Sequence, residues 1–440
     1  MSRGPLRSWG LHPPYPQTPH PIAWRQDAHA ALAEQVRLRG TTLAYGNGRS
    51  YGDSCLAATD HVIHMRGLDR LLAVDWASGC LTAEAGATLE EVLALAIPRG
   101  WFLPVTPGTQ FVTLGGAVAN DVHGKNHHVR GTIGRHVAAL GLVRSDAGEM
   151  ECSPERNDDL FRSTIGGLGL TGIITWVKLQ LMPIASSTLQ TLSVRFESLD
   201  EFFGLSRELD QAHEYTVSWV DCLATGRSSG RGIFVAANHA PTGPLEVSRR
   251  RSLSMPFAPP VSAVNRLSLR LFNAAYYRRH PAARRQATID YERFFYPLDS
   301  ILHWNRIYGR RGLQQFQCVI PDAAAPDAIK ALLAEIAAGG QGSFLAVLKR
   351  CGEIESPGLL SFPLAGVSLA LDFSQGEILE QRLLPRLDAI VRAARGRLYP
   401  AKDAHMTGDD FRHFYPRWQA LEARRDPALC SRFWQRVTGS

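Results

Sequence analysis

The chain has 440 residues, 45% of them apolar and 20% charged, and a formal charge of +7; this excludes a disordered, coiled-coil or collagen-like polypeptide and leaves two domains or one large α/β unit. No apolar run approaches the ~18–20 residues of a spanning helix, and the opening MSRGPLRSWGLHPPYPQ lacks the apolar core of a secretory signal, so a soluble, cytoplasmic chain is expected. The positive charge is local: Arg249, Arg250, Arg251, Arg266, Arg270, Arg278, Arg279, Arg284 and Arg285 fall between Val247 and Ile289 with no acid among them, and the remainder is slightly acidic, so no nucleic-acid partner is expected.

In chain order, residues 24–40 carry helical apolar spacing (AALAEQVRL) up to Gly40. A short strand then enters Tyr45, Gly46, Asn47, Gly48, Arg49, Ser50, Tyr51, Gly52, Asp53 and Ser54. Three glycines in seven residues let backbone amides close on a ligand, as in a phosphate cradle. The third comes one residue late for a dinucleotide-binding G-x-G-x-x-G, and the next residues are strand-like where that motif needs a helix; a phosphate loop and a plain turn both stay open. HVIHM and the two apolar runs of LLAVDWASGCLTAEAGA read as strands. Thr88 and Glu91 form a capping box for a helix to Ile97, stopped by Pro98 and Gly100.

Pro107 to Gly134 is glycine-rich. Gly115-Gly116 permits close backbone approach, and His123, Lys125, His127 and His128 gather four cations or proton donors within six residues. The glycines suit a planar organic ligand better than a metal, for which no carboxylate-rich or cysteine partner is evident; a solvated loop is the alternative. HVAALGLVRSDAGEMEC gives strands, DLFRSTIGG a small helix and GIITWVKLQLMP a last strand ending about Pro183. Residues 1–183 thus read as an α+β unit of many short strands.

From Ala185 a second unit, 184–398, is expected. It contains the strand LQTLSVRF, a helix begun by Ser198 and Asp200, the strands YTVSWVDCLA and GRGIFVAANH, and then the basic window as a lid or loop over 247–289. QQFQCVI, PDAIKALLAEIAAGG, SFLAVLKRCG, GVSLALDF, EILEQRLLPRLDAIVRAARG and RLYPAKD make one split β-α-β-β-α-β series. The remainder, 399–440, is an amphipathic helical tail that packs back on the body. No internal repeat is visible. Lysine is rare: Lys125, Lys178, Lys330, Lys349 and Lys402 stand alone in an arginine-rich chain, and Lys125 and Lys402 fall in the densest motifs. By itself Tyr399-Pro400-Ala401-Lys402-Asp403 reads as a solvated pair at a strand end. Seven widely spaced cysteines, without C-x-x-C, read as reduced thiols with no disulfide framework and no metal site.

Taken together, GNGRSYGD, P-G-T…T-x-G-G, HGKNHH and Y-x-x-K-D resemble the vanillyl-alcohol-oxidase/PCMH-type FAD-binding oxidoreductases. So do Trp219-Val220-Asp221, Phe295-Tyr296-Pro297-Leu298-Asp299, Trp304-Asn305-Arg306, Gln315-Phe316-Gln317 and Ser361-Phe362-Pro363-Leu364. Within that group the resemblance is to the FAD-containing oxidase subunits of decaprenylphosphoryl-β-D-ribose 2′-epimerases, and it runs from Ser8 to Pro416. It implies an α+β architecture: a two-part FAD-binding domain, and a substrate (cap) domain whose mainly antiparallel sheet is covered by helices. It implies that Tyr45 to Ser54 hold the FAD pyrophosphate. Gly108, Thr113, Leu114, Gly115, Gly116, Asn120, Asp121, Val122 and His123 would line the flavin, with Ile174 and Tyr399 against it. Lys402 and His123 would be catalytic, and Lys125, Gln315, Gln317, Lys349 and Lys402 would face substrate.

The implied reaction is oxidation of the 2′-hydroxyl of a polyprenylphosphoryl pentose to the 2′-keto sugar. This is the first half of an epimerisation, completed by a separate NAD(P)H-dependent reductase, in cell-envelope polysaccharide synthesis. An aldonolactone or alditol oxidase on the same fold is the alternative. Sugar and aldonolactone oxidases often attach FAD through the histidine of G-x-G-H-S; Arg49 stands there, which implies non-covalent FAD. Ala370 replaces a cysteine characteristic of the epimerase subunit's pocket, so covalent inhibition through that thiol is not expected, and Phe295 replaces a tyrosine. The basic window, with Leu253, Met255, Phe257, Leu267, Leu269, Leu271, Phe272, Tyr276 and Tyr277, suits a polyprenyl phosphate and a peripheral contact with the inner face of an anionic membrane.

Overall fold

A computed structural model describes residues 5–248, 252–280 and 283–439; Arg249, Arg250 and Arg251 of the basic window lie outside the described residues. Three short strands, β1 (Thr18–Pro21), β2 (Ala44–Tyr45) and β3 (His61–His64), form a parallel sheet in the order β1-β3-β2, with α1 (Ala28–Arg39) between the first two in sequence. Gly40 ends α1 at φ +82°, a conformation that favours glycine. A five-stranded antiparallel sheet adds β4 (Leu71–Asp75), β5 (Cys80–Glu84), β6 (Val137–Arg144), β7 (Gly148–Cys152) and β8 (Ile173–Gln180) in the order β4-β5-β8-β6-β7. The expected Thr88–Glu91 capping box starts α2 (Leu89–Ala96). The short α3 (Leu114–Ala119), begun by Thr113, buries Leu114, Ala117 and Val118 in one cluster with Leu81, Ala83 and Val177 of the sheet.

Two short pairs, Trp101–Phe102 with Met182–Pro183 and Leu253–Ser254 with Ile301–Leu302, stand apart, and eight further strands make one antiparallel sheet. They are β9 (Thr188–Phe196), β10 (Tyr215–Val220), β11 (Gly232–His239), β12 (Arg285–Asp290), β13 (Leu313–Pro321), β14 (Val347–Cys351), β15 (Gly366–Ser374) and β16 (Arg397–Leu398), in the order β12-β9-β11-β10-β14-β15-β13-β16. Each half runs fourth-first-third-second, and the halves join through their second strands, β10 and β14. The split βαβ topology expected once is present twice, as a repeat of strand order with no repeat of sequence.

Three helices, α4 (Leu199–Leu209), α5 (Ala325–Gly339) and α6 (Leu384–Ala393), cover one face of this sheet. They pack Phe202, Ile329, Leu332, Ile336, Leu387 and Val391 into one cluster with Phe196, Phe234, Phe316, Leu348, Leu369 and Leu371. Burial of such side chains contributes about 1.5–3 kcal/mol each. Strand side chains alternate between faces, so the residues between these face the other way. A one-residue slip would put Gln315 and Gln317 among the helices; the register of the apolar residues therefore fixes what faces the site.

The basic window is not a single loop. Within it, helix Arg266–Arg279 is capped by Asn265 and buries Leu269, Asn273 and Tyr277 along one stripe, and Tyr277 packs with Trp219 and Ile233 of the sheet. Arg285–Asp290 is the edge strand β12, paired with β9. The strand expected over RLYPAKD stops after Leu398: Pro400 has no N–H to extend a ladder, and the Lys402 N–H turns back to the Tyr399 carbonyl at 2.9 Å. The chain then folds back, burying Phe411, Phe414 and Trp434 in the core beneath α6 and bridging Leu429 to Thr42 and Ser431 to Ala57. Among the described residues no helix is long and apolar enough to cross a membrane.

Candidate active site

The open face of the eight-stranded sheet, the glycine loop after β2, the segment around α3 and the turn after β16 enclose one cavity of about 830 Å³, within the range of cofactor and ligand sites. The loop contributes Gly46, Asn47, Gly48, Arg49, Ser50, Tyr51 and Ser54 to its lining. The glycine-rich stretch contributes Gly108, Thr113, Gly115, Gly116, Asn120, Val122, His123 and Lys125, and β8 contributes Ile174. Gln315, Gln317, Lys349, Tyr399 and Lys402 complete the expected set.

Tyr45, Gly52, Asp53, Leu114 and Asp121, placed at the cofactor by resemblance, do not line the cavity. They hold the lining residues from behind. The Tyr45 phenol donates to the Arg7 carbonyl at 2.6 Å. Gly52 lies so close to the main chain of Asp403 and Ala404 that a Cβ would overlap it. Asp53 accepts two hydrogen bonds from Arg436, at 2.9 and 2.8 Å. Leu114 is wholly buried in the core beside the five-stranded sheet. Asp121 accepts from the Gly134 N–H at 2.9 Å and from the hydroxyls of Ser356 and Ser361. Its carboxylate tethers the end of α3 to the segment after β14.

Gly48 explains the shape of the loop. Its φ is +59°, and a Cβ would strike the Tyr45 phenol. Arg49 is held between the rings of Trp9 and Phe111, 4.2 and 5.0 Å from their centroids, and its Nε is buried without a hydrogen-bond partner. Ser54 Oγ and His123 Nδ1 are likewise buried and unpartnered. Such atoms are costly unless a ligand meets them.

His123 sits edge-on to Tyr399, with ring centroids 5.4 Å apart, and its Nε2 lies 3.0 Å from the Gln317 side-chain nitrogen. With the Gln317 amide donating, Nε2 is the acceptor and Nδ1 carries the proton. Burial, then Lys349, His127 and Lys402, press its pKa well below the usual value, so the ring is neutral. Tyr399 stacks on Phe362 at 4.6 Å and donates to the Asn120 carbonyl at 2.8 Å. Lys402 Nζ lies 4.0 Å over the Tyr51 ring. Lys349 donates to the Gly124 carbonyl at 2.7 Å, and Lys125 donates to the Phe294 carbonyl and lies over that residue's ring. Burial lowers the pKa of Lys125 to about 7 and of Lys349 to about 8. It also lowers that of Lys402, against the opposing pull of Asp372.

Several lining residues escape sequence reasoning. Trp9 lines the cavity and holds Arg49 against Phe111, and Asp372 faces the cavity opposite Gln315 in the β13–β15 register. Asp372 had one signal: it is the only charged residue in the apolar strand GVSLALDF. Nothing near Asp53 or Asp403 in the sequence points to Arg436.

The close-approach glycines, the unpartnered donors Arg49 and Ser54 and the unpartnered imidazole N–H fit a cofactor that carries both phosphates and a planar ring. Residues 25–153 match the family model described as FAD binding domain. Over 400 residues the chain is 32% identical to a decaprenylphosphoryl-beta-D-ribose oxidase of Mycolicibacterium smegmatis, covering 88% of this chain and 86% of that one. It is 34% identical over 360 residues to an uncharacterized protein of Streptomyces coelicolor, covering 78% and 96%. It is 33% identical to the L-gulonolactone oxidase of Mus musculus over only 177 residues, 39% of each chain. The chain belongs to the PCMH-type FAD-binding oxidoreductase family that includes the mycobacterial decaprenylphosphoryl-ribose oxidase, and FAD is its cofactor.

Proposed function

We propose that this chain oxidises the 2′-hydroxyl of a polyprenylphosphoryl pentose to the ketone, with FAD bound non-covalently. Bound FAD supplies the acceptor for the hydride that leaves the carbinol carbon. The loop Gly46 to Ser54 would hold its phosphates, with Arg49 as their cation; a guanidinium in place of the histidine of G-x-G-H-S forms no flavin bond. His123, Asn120 and Tyr399 would orient the ring system, and Lys402 would stabilise negative charge that develops at the flavin–substrate junction.

The observation that carries the substrate class is the pair Lys125 and Lys349. Lys349 is buried and Lys125 partly buried, and among the described residues both donate only to main-chain carbonyls. A buried ammonium without an anion is costly, and a substrate phosphate would balance the pair. Beside them Val217, Trp219, Ile233, Val235, Phe272 and Phe344 give the cavity an apolar arm, suited to the first units of a prenyl chain. Phe272 is also half-exposed, and Leu253, Phe257, Val261, Leu267 and Leu271 lie exposed near Arg266 and Arg270 in sequence. These features support a peripheral contact with an anionic membrane on the cytoplasmic side. The keto sugar would pass to a separate NAD(P)H-dependent reductase.

The test is anaerobic bleaching of the holoprotein's flavin. Farnesylphosphoryl-β-D-ribose presented in anionic vesicles should bleach it, while xylitol and L-gulono-1,4-lactone should leave it yellow. Bleaching by xylitol or the lactone, and not by the phosphoryl ribose, would replace this reading with an alditol or aldonolactone oxidase.

A further inference from the structure

Oxidation of an alcohol releases a proton as well as a hydride, and the charged groups that line the cavity are mainly cations. Lys125, Lys349 and Lys402 face it, and neutral His123 is a weak base because burial and three cationic or imidazole neighbours oppose its protonation. Its one nitrogen free of Gln317 is the N–H. Among the described residues two carboxylates line the cavity, Asp299 and Asp372. Asp299 accepts the Gln110 N–H at 2.9 Å on the side of Arg49. Asp372 stands on β15, and Lys402, in the turn after β16, acts on it electrostatically.

Asp372 is 2% exposed and is oriented from two sides. Its Oδ1 accepts from Gln315 Nε2 at 2.6 Å, and its N–H donates to Ser343 Oγ at 3.1 Å. Among the described residues no group hydrogen-bonds to Oδ2. The titratable groups acting on it are Lys402 from the turn after β16, Tyr51 from the glycine loop and Tyr308 from the segment before β13. Burial keeps both phenols neutral by raising their pKa values well above the ordinary range. Burial also raises the Asp372 pKa above the usual carboxylate range, opposed by the Gln315 hydrogen bond and Lys402. A general base works best when its pKa lies near the working pH.

We propose that Asp372 is the catalytic base: its Oδ2 accepts the proton of the substrate hydroxyl while Lys402 remains an ammonium beside the forming carbonyl oxygen. The step balances. The O–H bond breaks, its proton goes to Asp372 and its electron pair forms the C=O bond as the C–H pair departs as the hydride that FAD accepts. The inference rests on the reading that a secondary hydroxyl is oxidised in this cavity.

The test uses holoprotein and farnesylphosphoryl-β-D-ribose. Asp372→Asn should slow anaerobic flavin reduction roughly 10²–10³-fold with the substrate Kd unchanged. The wild-type rate should rise with pH as a carboxyl ionises, and the variant should lack that limb. Formate should restore reduction in Asp372→Gly in proportion to its concentration, a rescue that a structural role would not give. Independently of turnover, infrared difference titration of the holoprotein should show a carboxyl still protonated above the usual carboxylate range, absent from the Asn variant. Wild-type rates in Asp372→Asn, or a Gly variant indifferent to formate, overturn the assignment and leave the proposed function standing. Colourless protein from both Asp372→Asn and Asp372→Glu makes the residue structural and also overturns it. A wild-type flavin that no alcohol bleaches refutes both.

Discussion

Replacing Lys402 with Met should leave a yellow, folded holoprotein whose flavin substrate no longer reduces at a useful rate. One well-placed charge at developing negative charge supplies about 2.7–4 kcal/mol, a 10²–10³-fold effect. Met keeps the apolar stem over Tyr51 and deletes the ammonium. The sign for stability is opposite to that for activity. The lowered pKa means that burial penalises the charged form, so below that pKa the ammonium costs folding free energy, and the neutral variant should melt no lower than wild type. Anaerobic stopped-flow absorbance and a thermal melt check both halves. Reduction within a few-fold of wild type, or loss of the yellow colour, would remove Lys402 from the chemistry.

Arg436→Ala should be the most damaging change outside the cavity. The guanidinium of Arg436, on the last helix (Arg432–Thr438), bridges Asp53 at the end of the glycine loop and Asp403, next to Lys402; the Arg436–Asp403 contact is 2.9 Å. Both acids are buried, and His405 lies between Asp403 and Asp388 at 3.2 Å from each. Burial works against the His405 charge, yet Asp388 and Asp403 carry its pKa up to about 9. Removing the arginine strands two buried carboxylates, which costs about 3–5 kcal/mol in comparable pairs, and frees the loop from the turn. The protein should unfold at lower denaturant and retain less FAD. Burial alone would raise the Asp403 pKa, but Arg436 and then His405 hold it below the ordinary value. Its ion pairs therefore stabilise the fold above the ordinary carboxylate pKa and are lost as pH falls through the depressed one. The deficit of the variant should shrink in acid. Denaturant midpoints at neutral and acidic pH, with flavin content, decide it; equal midpoints at neutral pH would show that the clamp is dispensable.

What could be read from the sequence was what local chemistry writes. Thr88 and Glu91 announce a helix start because a capping box needs only neighbours, and the glycine loop and the histidine-rich stretch declare close approach and cations within a few residues. The second split βαβ unit was hidden because helix Arg266–Arg279 and the window before it intervene ahead of β12, and the two halves meet through only Ser218–Leu348 and Trp219–Val347. Asp372 was hidden because its facing depends on the pairing of β15 with β13, a non-local register. Arg436 reaches Asp53 across 383 positions of chain, a separation that no spacing rule spans. Tyr45, Asp53 and Asp121, which the resemblance places at the cofactor, bond to protein partners that only the fold brings to them.

The histidine-rich stretch and the turn after β16 should meet at one flavin. Crystallography of the yellow holoprotein tests this directly. The isoalloxazine density should lie within hydrogen-bonding reach of both the His123 imidazole and the Lys402 ammonium, with the pyrophosphate along Gly46 to Ser54. An isoalloxazine remote from either residue, or one covalently joined to the protein, would contradict it.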